Sequence, residues 1–337
     1  MFFSIIIPLY NRPVEIKELL DSMLMQTYRN FEIIIVEDGS SLSAESIVAN
    51  YQDQLDVHYY YKANEGQGFA RNYGFERAKG DFFIVFDSDI IVPADYLLKV
   101  QQGLTLNQLD AFGGPDAAHE SFTDIQKAIS YSMTSPFTTG GIRGNKKHIG
   151  QFHPRSFNMG ISRNVWNETQ GFKLSRRSED MEFSIRMINQ GFKVGLLNEA
   201  FVYHKRRTSF MQFFKQTYNF GKGRIDIYQR YPKELKAVHA LPSVFVLGLT
   251  GLLILLLVNG LTAGQLPFIS GLTSLGTLAI GLYIGLLFIH ALGKTNRLKV
   301  AGLALVAAFT QLIAYGTGFI VQYISSCILH KNAHSLV

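Results

Sequence analysis

Three long stretches towards the end of the chain contain no Asp, Glu, Lys or Arg, and they constrain the fold more than any other feature. They cover residues 238–258, 268–292 and 300–328. Each is long enough to cross a hydrocarbon core about 30 Å thick. The alternative is a buried helical hairpin in a soluble protein. Helices of this length in soluble proteins have a polar face where they meet solvent, and these stretches lack one. The sequence therefore predicts three transmembrane helices within residues 237–329.

Positive charge is concentrated just before the first of these stretches. Residues 205–236 contain nine basic and two acidic residues, so this segment carries +7 while the whole chain carries +6. Residues 259–267 are uncharged, whereas three basic residues separate the second and third stretches, namely Lys294, Arg297 and Lys299. Because basic residues favour the cytoplasmic side, we predict a multi-pass protein of the inner (plasma) membrane with a cytoplasmic N-terminal domain. The tail after Leu329 is then expected outside.

Aromatic and basic side chains interleave between residues 209 and 230, as in amphipathic helices that lie in the bilayer interface. We therefore predict basic interfacial helices over residues 207–236, with a break near Gly221 and Gly223. Anionic lipid headgroups or a phosphorylated lipid are the expected partners of this segment. Nucleic acid is not expected, because no recognition helix or RNA-binding aromatic motif accompanies the charge. The short apolar start, interrupted by Pro8, is not expected to be a signal peptide.

Up to residue 206, apolar runs typical of strands alternate with amphipathic runs typical of helices. The predicted strands cover residues 3–7, 31–36, 57–61 and 82–86, and the predicted helices cover 14–26, 44–54 and 68–78. Strands joined by helical crossovers predict an α/β domain over residues 1–206 with a doubly wound, mostly parallel, Rossmann-like sheet. In such sheets, ligands bind beyond the carboxyl ends of the strands.

Acidic residues follow the fourth predicted strand. Asp87 and Asp89 flank Ser88 directly after an apolar run, so both carboxylates are expected on the exposed side of one turn. With phosphate oxygens, such a pair suits a hard cation, Mg²⁺ or Mn²⁺. An Asp-x-Asp sequence arises by chance in chains of this length, and a solvated loop is the alternative interpretation.

Two further polar clusters are predicted at the same edge. Glu37 and Asp38 end the second strand, where they either cap the next helix or, in the case of Asp38, hydrogen-bond a nucleotide base. Residues 64–72 place Gly66 at a strand-to-helix turn and Arg71 one turn into the helix. Glycine permits close approach to a ligand, and Arg71 supplies a permanent charge for phosphate or carboxylate.

These motifs, in this order, resemble those of family two glycosyltransferases with the GT-A fold. The resemblance rests on residues 4–11, 37–40, 64–72 and 87–89 and covers about the first two hundred residues. It implies a nucleotide-sugar site with Asp89 and Asp87 contacting metal and ribose. The implied nucleotide-sugar-binding residues are Pro8, Tyr10, Glu37, Asp38, Gly66, Arg71, Asp87 and Ser88. The family often has a second aspartate at the position of Glu37.

The same resemblance extends to the acceptor side. Glu179 and Asp180 match the acidic acceptor-side motif, and Asp180 is the expected catalytic base. Alternatively, these acids only interact with the dipole of the helix that they begin. His204 is an additional candidate metal ligand, or a structural histidine. Asn158 and Trp166 resemble the segment that shapes the acceptor pocket, although the single tryptophan could equally belong to the core. Residues 138–155 are predicted to close over bound donor or to be a solvated surface loop.

The expected activity is transfer of a sugar, with inversion and with Mn²⁺ or Mg²⁺ as cofactor, from a nucleotide diphosphate sugar. A uridine diphosphate sugar is favoured as donor, and a lipid-linked acceptor, a polyprenyl phosphate or a growing cell-surface glycan as acceptor. Two alternatives remain at this point: a nucleotidyltransferase and a non-catalytic nucleotide-sugar-binding membrane scaffold. A nucleotidyltransferase would carry a Gly-rich phosphate loop after its first strand, where this chain has Pro8 to Asn11. The scaffold would not need the acidic residues that turnover requires.

Overall fold

The computed structural model describes residues 1–117, 119, 121–139 and 152–330. These residues form two compact units. The first contains residues 1–117, 119 and 152–205, and the second contains residues 121–139 and 206–330. The predicted division at residues 206, 236 and 329 stays a prediction. Most of the predicted loop, residues 140–151, and the tail, residues 331–337, lie outside the described residues.

The secondary structure alternates between strands and helices before it becomes entirely helical. The strands are β1 (Phe3–Leu9), β2 (Phe31–Asp38), β3 (Val57–Lys62), β4 (Phe82–Phe86), β5 (Ile90–Ile91), β6 (Ala111–Gly113), β7 (Asp116–Ala117), β8 (Asn158–Ser162), β9 (Val194–Leu196) and β10 (Val202–His204). The helices are α1 (Pro13–Leu24), α2 (Glu45–Ala49), α3 (Gln67–Phe75), α4 (Tyr96–Asn107), α5 (Asp124–Thr134), α6 (Pro136–Thr139), α7 (Arg163–Thr169), α8 (Glu179–Asn189), α9 (Phe210–Arg230), α10 (Leu241–Leu261), α11 (Pro267–Thr295) and α12 (Leu298–Tyr323).

The first unit is built on a sheet of seven strands in the order β3-β2-β1-β4-β8-β6-β9. Strands β3, β2, β1 and β4 are parallel neighbours, whereas β8 runs antiparallel to both β4 and β6. The sheet is therefore mostly parallel with helices between its strands, as predicted. Because Ser4 pairs with Glu32 and Leu9 with Glu37, the carboxyl ends of the parallel strands meet at one edge.

Apolar side chains cover both faces of this sheet. Ile5 and Ile7 point into one buried cluster, which includes α1 and α4, and Ile6 points into the other, which includes α3 and α8. Strands buried on both faces read as continuous apolar runs, which explains why β1, β2 and β4 were recognisable from the sequence.

The element boundaries differ from the predicted ones at several ends. Strands β1 and β2 continue to Leu9 and Asp38, so Pro8, Glu37 and Asp38 lie within strands and not after them. Helix α2 ends at Ala49 instead of residue 54, and α3 ends at Phe75 instead of residue 78. Tighter turns with i to i+3 hydrogen bonds follow both helices, so the helical pattern continues in sequence after the α-helix has ended.

The second unit contains three helices long and apolar enough to cross a membrane: Ala237–Leu261, Pro267–Thr295 and Leu298–Ile328. The three predicted stretches fall within them. The last of the three ends in a π-helical turn, Ile324–Ile328.

Helix α9 corrects one prediction, because it is a single unbroken helix of 21 residues. Gly221 does not interrupt it. A Cβ on Gly221 would clash with the carbonyl oxygen of Tyr315, and a Cβ on Gly318 would clash with that of Tyr218. The glycines therefore allow the backbones of α9 and α12 to pack closely, as small residues do between membrane helices.

Candidate active site

Two carboxylates and an imidazole meet beyond the carboxyl end of β4. Asp87 follows the last residue of β4, and Asp89 precedes β5. Strand β10 pairs antiparallel with β5, with His204 opposite Ile90, which brings His204 Nε2 to 3.2 Å from Asp89 Oδ1. One ligand atom from each of Asp87, Asp89 and His204 lies within 4.8 Å of the others.

The composition of this cluster fits a divalent cation. Carboxylate oxygens suit Mg²⁺ and Mn²⁺, and an imidazole nitrogen suits transition metals, so the mixed set is compatible with Mn²⁺. The cluster is also only partly shielded, since Asp89 is buried while Asp87 is about one-third exposed, which leaves room for ligand oxygens. Phe157 stacks on the His204 ring with centroids 4.9 Å apart and fixes its orientation.

Arg12 is a site residue that the sequence did not single out. It follows Asn11, whose φ is +51°, and its Nη1 forms a hydrogen-bonded ion pair with Asp89 Oδ2. Burial of Asp89 acts to raise its pKa, but His204 and Arg12 outweigh burial and hold the pKa well below its usual range. Asp89 is therefore ionised and ready to bind a cation. The only signal in the sequence was the position of Arg12 directly after the first strand-end motif.

Arg71 connects the Asp87 carboxylate to the start of helix α8. Its side chain is 1% exposed; Nη2 donates to Asp87 Oδ1 at 2.9 Å, and Nη1 donates to Glu179 Oε1 at 3.0 Å. The guanidinium also lies 5.2 Å from the ring centroid of Phe172. A buried guanidinium with two carboxylate partners holds the ends of α3, β4 and α8 together.

The two acids at the start of α8 differ in their surroundings. Glu179 is buried and also accepts a 2.5 Å hydrogen bond from Gln67; burial, reinforced by the nearby charge of Asp180 and opposed by Arg71, raises its pKa to about 7. The Asp180 side chain is 19% exposed, and its Oδ2 lies 3.5 Å from Arg155 Nη1. Asp180 is therefore the acid of this pair that solvent or a second substrate can reach.

Asp38 organises the loop that precedes α3. Its Oδ1 accepts from the Glu65 N–H at 2.9 Å and its Oδ2 from the Gly66 N–H at 2.8 Å. Gly66 has a φ of +101°, and a Cβ there would meet the Ser175 carbonyl oxygen and the Arg176 side chain. These contacts place both residues at the carboxyl edge and give them a structural function in addition to the predicted nucleotide contact.

The other predicted donor-side residues are distributed around this edge. Glu37 is fully buried, and its Oε2 accepts from the Ala44 N–H at 3.1 Å and from the Tyr59 hydroxyl, so it holds the start of α2. Tyr10 is 52% exposed beyond the end of β1. Pro8 is partly buried opposite Val36, and Ser88 is buried between the two aspartates. Their contact with a nucleotide stays a prediction.

Residues 4–168 match the family model described as glycosyl transferase family 2. The chain contains a family 2 glycosyltransferase domain. An uncharacterised glycosyltransferase of Haemophilus influenzae is 29% identical over 216 residues, covering 61% of this chain and 70% of the relative. One of Rickettsia typhi is 43% identical over 108 residues, covering 32% of each chain. This chain thus spans about a third of the length of the Rickettsia relative.

A solved structure confirms the fold over nearly the whole chain. A mannosyltransferase from Pyrobaculum calidifontis, in complex with GDP-Man and Mn²⁺, superimposes with a TM-score of 0.55 at 15% identity, covering 98% of this chain and 88% of the other. The predicted GT-A-like fold with C-terminal apolar helices is therefore confirmed.

Within the family 2 domain, Asn158 and Trp166 contact other residues of the domain interior. Asn158 is fully buried; its Oδ1 accepts from the Tyr96 hydroxyl at 2.5 Å, and its Nδ2 donates to the Ala200 carbonyl at 2.8 Å. Trp166 packs against Phe75, with centroids 5.3 Å apart, at the border of an apolar cluster. Both contacts are those of structural residues, and the acceptor-side function of these two residues stays a prediction.

Proposed function

We propose that this protein is an inverting, metal-dependent glycosyltransferase that uses a nucleotide diphosphate sugar. One observation carries the proposal: the cluster of Asp87, Asp89 and His204 is joined through Arg71 to the acids that begin α8. A donor diphosphate and an acceptor hydroxyl must meet within a few ångströms for transfer, and this arrangement supplies charged groups for both.

Asp87, Asp89 and His204 would hold the divalent cation, Mn²⁺ or Mg²⁺, which when bound would neutralise charge on the departing diphosphate. Arg12 and Arg71 supply fixed positive charge on the same edge. The nucleoside would lie along the predicted donor-side residues Pro8, Tyr10, Glu37, Asp38, Gly66 and Ser88. The GDP-Man and Mn²⁺ bound by the Pyrobaculum calidifontis mannosyltransferase support a donor of this class. A uridine diphosphate sugar is the first to test.

Asp180 would act as general base. As the acceptor oxygen attacks the anomeric carbon, the bond from that carbon to the diphosphate oxygen breaks and the acceptor proton passes to the Asp180 carboxylate. Attack opposite the leaving group inverts the anomeric configuration. The partial exposure of Asp180 supports this assignment, because the base must reach a second substrate. Glu179, Asn158 and Trp166 complete the proposed acceptor side.

The proposed acceptor is a lipid-linked sugar, a polyprenyl phosphate or a growing cell-surface glycan. Support comes from the three apolar helices of the second unit and from the net charge of +7 over residues 205–236, which suits anionic headgroups. Accordingly, the location we propose is the inner membrane with the family 2 domain in the cytoplasm, and polysaccharide assembly for the cell envelope as the process.

A panel of nucleotide sugars tests the proposal directly. Detergent-purified protein is incubated with each donor, Mn²⁺ and a membrane lipid extract, and free nucleotide diphosphate is measured. Release that requires the extract supports transfer. Exchange of labelled pyrophosphate into the donor would indicate nucleotidyl chemistry instead, and binding without any product would indicate a scaffold. Glu168→Gln, at an exposed acid on α7, is the matched control for variants of Asp180.

A further inference from the structure

A second cluster of two carboxylates and an imidazole lies at the opposite edge of the main sheet. Glu32 is near the start of β2, Asp56 immediately precedes β3, and His58 is its second residue. One ligand atom from each lies within 4.8 Å of the others. Ser4, near the start of β1, pairs with Glu32, so this cluster occupies the amino edge of the parallel strands. It takes no part in the proposed transfer reaction.

Glu32 is held so that one carboxylate oxygen faces the cluster. Its Oε1 accepts from the Ser4 hydroxyl and from the Lys79 N–H, both at 2.6 Å. Its Oε2 has no hydrogen-bond partner, although the side chain is completely buried. A buried carboxylate oxygen without a hydrogen bond is costly, and a bound cation would remove that cost.

His58 presents a nitrogen to both carboxylates without hydrogen-bonding to either. Its Nε2 lies 3.6 Å from Glu32 Oε2 and 3.1 Å from Asp56 Oδ1, yet it too has no hydrogen-bond partner among the described residues. In a tetrahedral zinc site with bonds of about 2.0–2.1 Å, neighbouring ligand atoms are about 3.3 Å apart. Both distances are therefore close to those of ligands that share one ion.

The surroundings also suit a metal ion better than an anion. Among the residues that the structure describes, no Lys or Arg side chain lies within ion-pair distance of Glu32; the only such contact is with the imidazole of His58, which can bind a metal ion in its neutral form. The side chains of Asp56 and His58 are 56% and 34% exposed, which gives an ion a path from solvent and leaves space for a water ligand. The Ser4 and Lys79 hydrogen bonds to Glu32 serve as the supporting shell that metal sites require.

We propose that Glu32, Asp56 and His58 bind a zinc-class divalent ion that ties β2 to β3 at the amino edge of the sheet. Two carboxylates, one imidazole and water form a four-coordinate set that Zn²⁺ accepts. The ion would stabilise the folded domain, because a preformed site binds the ion only in the folded state.

Zinc binding to the full-length protein in detergent tests this site. Every protein also carries Asp89→Asn, so that the carboxyl-edge cluster lacks one of its ligands. Equilibrium dialysis with ZnCl₂ is expected to show one bound ion. Asp56→Asn is expected to weaken zinc affinity at least about 100-fold, since loss of even a supporting residue costs about 10–100-fold. Asp53→Asn removes an exposed aspartate from the preceding turn. It is expected to bind zinc like the parent of this comparison, the protein that carries Asp89→Asn alone.

A second measurement separates binding from damage to the fold. Zinc is expected to raise the thermal denaturation midpoint of the parent and of Asp53→Asn but not of Asp56→Asn, while all three denature at the same temperature in EDTA. Equal zinc affinity in Asp56→Asn and Asp53→Asn, or no bound zinc in the parent, would overturn the proposal and leave an ordinary ion pair. Neither outcome bears on sugar transfer, because donor turnover is measured separately.

Discussion

The carboxyl and amino edges of the main sheet each bring together two carboxylates and one imidazole, but they differ in the charges around them. At the carboxyl edge, Arg12 pairs with Asp89 and Arg71 pairs with Asp87. At the amino edge, no Lys or Arg side chain among the described residues lies within ion-pair distance of Glu32 or Asp56, and both carboxylates face the imidazole of His58. The same three ligand types therefore have arginine partners at the carboxyl edge and, among the described residues, none at the amino edge.

We propose that this difference separates two kinds of metal site. A diphosphate brings negative charge, so a site for it needs fixed cations besides the metal ion, and in the proposed function the two buried or half-buried arginines would provide them. A site that holds only the metal ion needs no such cations. We expect variants at the carboxyl edge to change turnover and variants at the amino edge to change metal-dependent stability alone.

Asp180→Asn is the change with the largest expected effect. Loss of the general base should lower turnover about 10²–10⁴-fold. Donor affinity should change little, because Asp180 lies beside the Arg71–Glu179 pair and does not belong to the proposed metal-binding cluster at the end of β4. Turnover and donor binding are measured on the same preparation, with Glu168→Gln as control. Unchanged turnover would remove Asp180 from its proposed function.

Arg71→Met tests whether the ion pairs that Arg71 forms with Asp87 and Glu179 also stabilise the fold. Removing the buried guanidinium leaves Asp87 and Glu179 without this ion-pair partner, which should cost about 3–5 kcal/mol in the free energy of unfolding. Arg77→Met, at a partly exposed arginine just beyond the same helix, should cost less than about 1 kcal/mol. Urea unfolding can be followed by the fluorescence of Trp166, the single tryptophan. Equal destabilisation by both changes would contradict the proposed connection.

Glu179 gives the carboxyl edge a pH dependence. Because burial raises its pKa to about 7, above the ordinary 4.5, the folded protein binds this proton more tightly than the unfolded chain. The resulting stability is fully present below pH 4.5 and is lost as the pH rises through 7, a change of roughly 3 kcal/mol. Glu179→Gln should flatten this decline relative to the parent, whereas Glu168→Gln should not. Parallel declines in all three proteins would refute the assignment.

Asp56→Asn has the smallest expected effect on catalysis. The residue lies at the amino edge, far from the proposed site of transfer. Turnover with saturating donor and Mn²⁺ should therefore stay within about twofold of that of the unmodified protein, as for Asp53→Asn. A large loss of turnover in Asp56→Asn alone would mean that the two edges are not independent.

The sequence predicted the carboxyl edge well where strand periodicity determined it. Asp87, Asp89 and Asp38 lie at strand ends, and the continuous apolar runs of β1, β2 and β4 located those ends within about two residues. Two features depended on tertiary structure instead. Pairing of β10 with β5 brings His204 to Asp89, and Arg12 reaches the same carboxylate from the turn after β1.

Packing between residues distant in sequence determined two features that local sequence patterns did not predict. Gly221 suggested a break in α9, yet the helix continues because the glycine faces α12. The amino-edge cluster was not predicted either. Its three residues come from β2, from the residue before β3 and from β3 itself, and only the register that sets His58 opposite Ile34 brings them together.

Metal dependence of transfer is the most direct test that one cation at Asp87, Asp89 and His204 serves the reaction. Nucleotide diphosphate release is measured for the parent after EDTA treatment and again after Mn²⁺ is restored, with Asp89→Asn in parallel. We predict loss of release in EDTA, recovery with Mn²⁺ in the parent, and little recovery in Asp89→Asn. Full release in excess EDTA would contradict the proposed site.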